Sequence, residues 1–216
     1  MLTFYDYFRS SAAWRVRLAL HMKGVPFEQR FVHLRKGEQR SADYLKLNPQ
    51  GLVPTLIDGG TVLTQSLAIV EYLDETHPTP PLLPADPAGR ARVRALALMV
   101  AADLHPINNL RVLQHLTGPM GQSVEARDAW YRHWIATGLS ALEAAVAGSP
   151  ATGTFCHGET PGLADLTLVP QLFNARRFGC PVEPYPTLLR IEAACQALPA
   201  FERALPRNQP DFEAAP

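Results

Sequence analysis

Five of the eleven residues from His77 to Pro87 are proline. Each lacks the amide hydrogen that a helix or ladder needs and restrains the residue before it, so no regular element crosses this stretch. Ahead of it, short apolar runs alternate with helical patterns; beyond it, the pattern is helical and poor in strand signals. The chain is therefore expected to divide into an α/β domain over 1–80, a linker over 81–87 and an all-helical domain over 88–216. Its 216 residues suffice for two small cores.

Within the first part, Leu2–Tyr5 reads as a strand that runs through Phe8, Arg9, Ser10 and Ser11 into a helix. Trp14, Leu18 and Met22 recur at helical spacing, Val16 and Leu20 widen the stripe, and Arg17 and His21 fall on a neighbouring polar row. Lys23-Gly24 supplies a stop. A second strand over Phe27–Leu34 completes a βαβ unit. Arg35–Leu47 is charged and weakly periodic, expected as a loop with an irregular helix over Ala42–Leu47. Thr55–Ile57 and Thr61–Thr64, joined through Asp58-Gly59-Gly60, form a hairpin. Pro54 before it reads as an edge-strand proline, with a cis bond as the special alternative. Gln65-Ser66 opens a second strand-to-helix turn, with Ser66 as the expected N-cap. Both turns suit an anion, because first-turn amides and the helix dipole converge there. For Ser10 and Ser11, the local sequence leaves two roles open: capping a helix, or donating a hydroxyl to a thiolate.

Lys plus Arg and Asp plus Glu number 20 each, so no broad attraction to nucleic acid or an anionic membrane is expected. No apolar run matches a signal peptide or membrane span, which points to a cytoplasmic protein. Cys156, Cys180 and Cys195 are widely spaced, and the chain has no His-Glu-x-x-His, Walker loop or Gly-x-Gly-x-x-Gly; no metal is expected. In the second part, one helix bent near Pro106 is expected from Ala88 to about Leu116, then another over Val124–Ala147. A helix apolar on nearly every face starts after Gly162, with Asp165 reaching back to the Gly162 amide. A last helix spans Pro186–Leu198, and the tail from Pro206 is expected to be loose.

Three stretches taken together resemble the cytosolic glutathione transferases, and within them the zeta class. They are Phe-Arg-Ser-Ser-x-x-Trp-Arg-Val-Arg at 8–17, Asn-Pro-x-x-x-Val-Pro-Thr-Leu at 48–56 and Gln-Ser-Leu-Ala-Ile at 65–69. His105-Pro106-Ile107-Asn108-Asn109-Leu110-Arg111, Ala164-Asp165 and Ala175-Arg176-Arg177-Phe178 extend the match. The resemblance implies a thioredoxin-like N-terminal domain, an all-α C-terminal domain, a homodimer and glutathione as cofactor. It implies a cis bond at Pro54, with Val53 pairing to the cysteinyl backbone of glutathione, and Gln65 and Ser66 holding the γ-glutamyl end. Gln39, His105, Asn109, Leu110 and Arg111 match positions that contact the tripeptide or line its site. Ser10 and Ser11 match the thiol-activating pair, and Arg9, Arg111 and Arg177 the basic positions facing a dicarboxylate substrate. One departure is Ala12, where the class pattern usually has Cys.

The activity the resemblance implies is glutathione-dependent cis–trans isomerisation of maleylacetoacetate, in tyrosine breakdown. Maleylpyruvate, in gentisate breakdown, is the close alternative; a general conjugating transferase or a non-catalytic glutathione-binding module are the further ones. The missing Cys does not preclude catalysis, because the nucleophile is the glutathione thiol itself.

Overall fold

The computed structural model describes residues 1–213. The chain forms two compact units, one of Met1–Leu82 together with the chain from Gln196 onward, the other of Leu83–Cys195. The segment after Gln196, expected with the helical domain, groups with the N-terminal unit instead.

In that unit β1 (Leu2–Asp6), α1 (Ser11–Lys23) and β2 (Phe27–Phe31) make the βαβ motif, with β1 and β2 parallel and Leu2 opposite Phe27. β3 (Thr55–Asp58) runs antiparallel to β1 and turns into β4 (Thr61–Thr64), giving the order β2-β1-β3-β4. α1 starts where Ser10 Oγ accepts the Ala13 N–H at 3.2 Å. It ends at Gly24, whose φ of 63° lets its N–H bond the His21 and Leu20 carbonyls. Two 3₁₀ turns, Leu34–Lys36 and Glu38–Arg40, replace most of the expected loop before α2 (Ala42–Leu47). α3 covers Ser66–Thr76, and its N-cap is Gln65 rather than Ser66, which is the first helical residue. The Val53–Pro54 and Thr79–Pro80 peptides are cis.

The helical unit begins with α4 (Pro87–Leu98), capped by Asp86. The single bent helix expected over Ala88–Leu116 is broken: a π-helical turn, Met99–Leu104, and a 3₁₀ turn, Pro106–Asn108, separate α4 from α5 (Leu110–Thr117). The bond from His105 N to Val100 O, 2.8 Å, spans five residues, so the helix accommodates an extra residue before Pro106 removes the next amide donor. α6 spans Val124–Ala147, as expected from its pattern. Gly138 lies against Leu104, and a Cβ there would meet Leu104 Cδ1 at 2.8 Å.

α7 (Leu163–Arg177) is buried without interruption from Leu163 to Leu172. Asp165 starts it: Oδ2 accepts the Gly162 N–H at 2.8 Å and Oδ1 the Cys156 N–H at 2.9 Å. α8 (Pro186–Gln196) follows, and α9 (Pro199–Ala204) belongs to the first unit. All three cysteines are buried, none on the surface.

α1 departs from a one-sided helix. Ser11 and every residue from Ala13 to Leu20 are buried, because β1 takes one side while α3 and α9 cover others. Arg17, expected on a polar row, is fully buried: Nη1 lies 2.6 Å from Asp6 Oδ2, and Nε donates to Ala204 O at 2.9 Å. Such a charge persists in a core only with its partner and its hydrogen bonds satisfied. The tail is ordered as far as Glu213, contrary to the expectation from Pro206 onward. Gln209 Nε2 donates to the Arg203 and Leu205 carbonyls, Asp211 Oδ2 accepts the Phe8 N–H at 3.0 Å, and the Phe212 ring meets Phe8 edge-on at 5.5 Å. Residues 214–216 of that expectation lie outside the described residues. No described helix is long and apolar enough to cross a membrane.

Candidate active site

The turn from β1 into α1 is pinned from several sides. Asp6 Oδ1 accepts the Tyr7 N–H at 2.7 Å, Ser10 N donates to Tyr7 O at 2.8 Å, and Asp211 holds Phe8. Ser10 emerges half-buried, whereas Ser11, one residue on, is buried. The cap bond from Ala13 uses one lone pair of Ser10 Oγ and leaves its O–H free to donate. Capping and anion stabilisation are therefore compatible in one side chain. Arg9 stacks its guanidinium over the Phe8 ring at 5.1 Å and donates to Glu213 O at 3.3 Å, so the C-terminal segment sets where it points.

The second turn is built differently. Gln65 has φ 70° and ψ 117°, the single positive φ among described residues other than glycine. A non-glycine residue in this region stores strain, which marks positions where backbone direction matters. Its side chain makes no cap bond and instead donates to Gln50 Oε1 at 2.7 Å, leaving the first-turn amides of α3 without an N-cap side chain. Ser66 is buried at 7% exposure, and its Oγ accepts from Arg15 Nη1 at 3.2 Å. Arg15 is 1% exposed, and burial brings its pKa down to about 10, still protonated at neutral pH.

Val53 is buried, and the loop before it is tied down by Tyr44 and Asn48. Tyr44 Oη donates to Leu52 O at 2.6 Å, and Asn48 Nδ2 donates to the same carbonyl at 2.7 Å. Gln39 lies in the Glu38–Arg40 3₁₀ turn, and its Oε1 is buried with no hydrogen-bond partner among the described residues. The half-buried hydroxyl and the uncapped helix start suit anionic groups, and the orphaned acceptor suits a ligand donor.

In the helical unit, His105, Asn109, Leu110 and Arg111 share one short segment that runs from the end of the π-helical turn into the first turn of α5. Asn109 caps α5, its Oδ1 accepting the Arg111 N–H at 3.2 Å, and Arg111 projects exposed from the first turn. Asn108 Nδ2 reaches the Tyr131 carbonyl at 3.5 Å, while its buried Oδ1 has no partner among the described residues. Tyr131 stacks on Phe178 at 3.6 Å, and Arg177 lies over the Phe178 ring at 5.1 Å. Tyr131 thus joins the His105–Arg111 segment to Arg177. Burial pushes its phenol pKa up, an effect the Arg177 charge opposes.

Sequence reasoning missed Arg15, Gln50, Tyr131 and Asp211. Arg15 offered a signal, a cation between Trp14 and Val16 on an apolar helix. Asp211 offered none, since its role depends on the chain's return.

The family model described as "Glutathione S-transferase, N-terminal domain" matches residues 1–75. A probable maleylacetoacetate isomerase of Vibrio cholerae is 52% identical over 97% of this chain and 98% of its own. The holo structure of a maleyl pyruvate isomerase, described as a bacterial zeta-class glutathione transferase, superposes with a TM-score of 0.95 at 49% identity, over 98% of this chain and 100% of that one. A maleylacetoacetate isomerase from Anaeromyxobacter dehalogenans, solved with dicarboxyethyl glutathione and citrate in its active site, gives 0.87 at 47% identity, covering 99% and 98%. With relatives matched nearly end to end, the chain belongs to the zeta class of glutathione transferases, in the family of maleylacetoacetate and maleylpyruvate isomerases.

Proposed function

We propose that this chain is a glutathione-dependent cis–trans isomerase acting on maleylacetoacetate, working as a homodimer in the cytoplasm. The observation that carries the reading is Ser10: a capping serine, half-buried, whose O–H remains available at the positive end of α1. Bound glutathione supplies the thiolate that adds to the cis double bond, allows rotation and leaves with the product trans. Ser10 holds that sulfur's negative charge by donating its hydroxyl hydrogen, while Ser11 packs inside the helix start. A free thiol near 8.5 needs a shift of only one or two units, about 1.4 kcal/mol each, to be largely ionised at neutral pH. A charge-assisted hydrogen bond with a helix dipole supplies that much.

Gln39, Val53, Gln65, Ser66, His105, Asn109, Leu110 and Arg111 are assigned to the tripeptide. Arg9, Arg111 and Arg177 are assigned to the substrate's carboxylates and to the negative charge that grows on its carbonyl oxygen. Their guanidiniums suit planar carboxylates by offering paired donors. The dicarboxylate substrate draws support from the Anaeromyxobacter relative, whose bound glutathione carries a dicarboxyethyl group.

Maleylpyruvate is the second reading, favoured by the maleyl pyruvate isomerase likeness, which is as extensive as the other. Incubation with glutathione and each substrate separately, following loss of the cis enol absorbance, tests both. Faster turnover of maleylacetoacetate is expected; a strong preference for maleylpyruvate would move the enzyme to that pathway, and turnover of neither would overturn the isomerase assignment.

A further inference from the structure

α1 and α3 are joined by a feature that capping and packing do not explain. Arg15, 1% exposed in the middle of α1, donates through Nη1 to Ser66 Oγ at 3.2 Å. A guanidinium has donors and no acceptors, so this bond must use a lone pair of the Ser66 oxygen. The Ser66 hydroxyl hydrogen is thereby turned away from Arg15 and becomes a donor. Ser66 is the first residue of α3, at a helix start whose N-cap residue has its side chain drawn off to Gln50. The hydroxyl, the uncapped amides and the helix dipole all favour an anion there.

We propose that Arg15 is a positioning residue for glutathione: by donating to Ser66 Oγ it fixes that hydroxyl as a donor to the α-carboxylate of the γ-glutamyl group. The inference rests on the glutathione reading of the site and extends it to a residue with no ligand contact of its own. The alternative is a purely structural role, in which Arg15 only ties α1 to α3. The two differ in what each predicts for ligand chemistry. A structural tie weakens binding of all glutathione analogues alike; a hydroxyl held as a donor to the carboxylate weakens most the binding of those that carry the carboxylate.

Calorimetric titration of the full chain with glutathione, and with the analogue whose γ-glutamyl α-carboxylate is converted to the amide, separates them. For Arg15→Met, glutathione Kd is expected to rise by about tenfold, with the amide analogue changing less than about twofold. Arg15→Lys, which keeps the charge without the planar fork, is expected to fall between wild type and Arg15→Met. In a Ser66→Ala background the Arg15→Met effect on glutathione should shrink to about twofold or less, since the hydroxyl through which it acts is gone. Equal weakening of both ligands, or a full effect persisting in Ser66→Ala, would overturn the proposal. If Arg15→Met does not fold, Arg15→Lys decides: the same ratio of glutathione to amide binding as wild type overturns it. Failure of the wild-type protein to bind glutathione would remove the parent reading as well. Normal wild-type binding with an indifferent Arg15 would remove this inference alone.

Discussion

At the scale of single residues, Ser10 and Ser11 differ by one position and by burial, and the proposed division of roles follows that difference. Ser10→Ala should raise the pKa of the bound thiol by about one unit or more, read from thiolate absorbance against pH. Ser11→Ala should leave it near the wild-type value; a reversed result would transfer the donor role to Ser11. The pair was visible in the sequence, but its difference in burial was not, because burial depends on what packs over the turn. Arg17 shows the same limit more sharply. Its spacing on α1 suits a solvated row, yet it ends in the core against Asp6 and Ala204 O. A periodicity argument presumes one covered face, and α1 is covered on several. The partner that closes the last of them, α9, lies far along the chain where no local pattern signals it.

At the scale of elements, the strong periodic segments were readable and the irregular ones were not. α6 matches its pattern to the residue, and Asp165 makes the backward reach that Gly162-x-x-Asp165 suggests. The π-helical turn before His105 was unreadable, since an extra residue within a helix leaves apolar spacing nearly unchanged. Its last residue, Leu104, packs against α6 at Gly138. Gly138→Val should therefore destabilise the protein by about 1–3 kcal/mol in denaturant unfolding, because the added methyls overfill this contact. Leu104→Ala in the same chain should recover part of that loss; a stability unchanged by Gly138→Val would show that the contact is slack. The His105–Arg111 segment follows directly after this turn, so its proposed assignment to glutathione predicts weaker binding in Gly138→Val and partial recovery with Leu104→Ala; an unchanged affinity would count against that assignment.

At the scale of the whole molecule, acid sensitivity and chain return both trace to the first unit. Burial, then the charges of Arg203 and Arg17, bring the His21 pKa from 6.5 to about 4, with Asp6 opposing. Folding thus excludes a proton that the unfolded chain accepts, so stability is complete above about pH 6.5 and falls as pH drops toward 4. His21→Gln should flatten the dependence of unfolding free energy on pH across that window; an unchanged slope would place the acid sensitivity elsewhere. Deleting residues 206–216 should cost about 1–3 kcal/mol through loss of the Asp211 bond to Phe8 and its neighbours. It should also speed amide exchange at Phe8–Ser10, whereas unaltered exchange there would mean that the turn holds itself. The return of the last segment was not legible in the sequence: nothing in a Pro-rich tail announces its docking site. That return has a consequence for how the protein is made. A ribosome releases β1 and α1 well before α9, yet Arg17 waits for the carbonyl of Ala204 and Phe8 for the carboxylate of Asp211, so this unit is finished only after the whole helical unit between them has emerged.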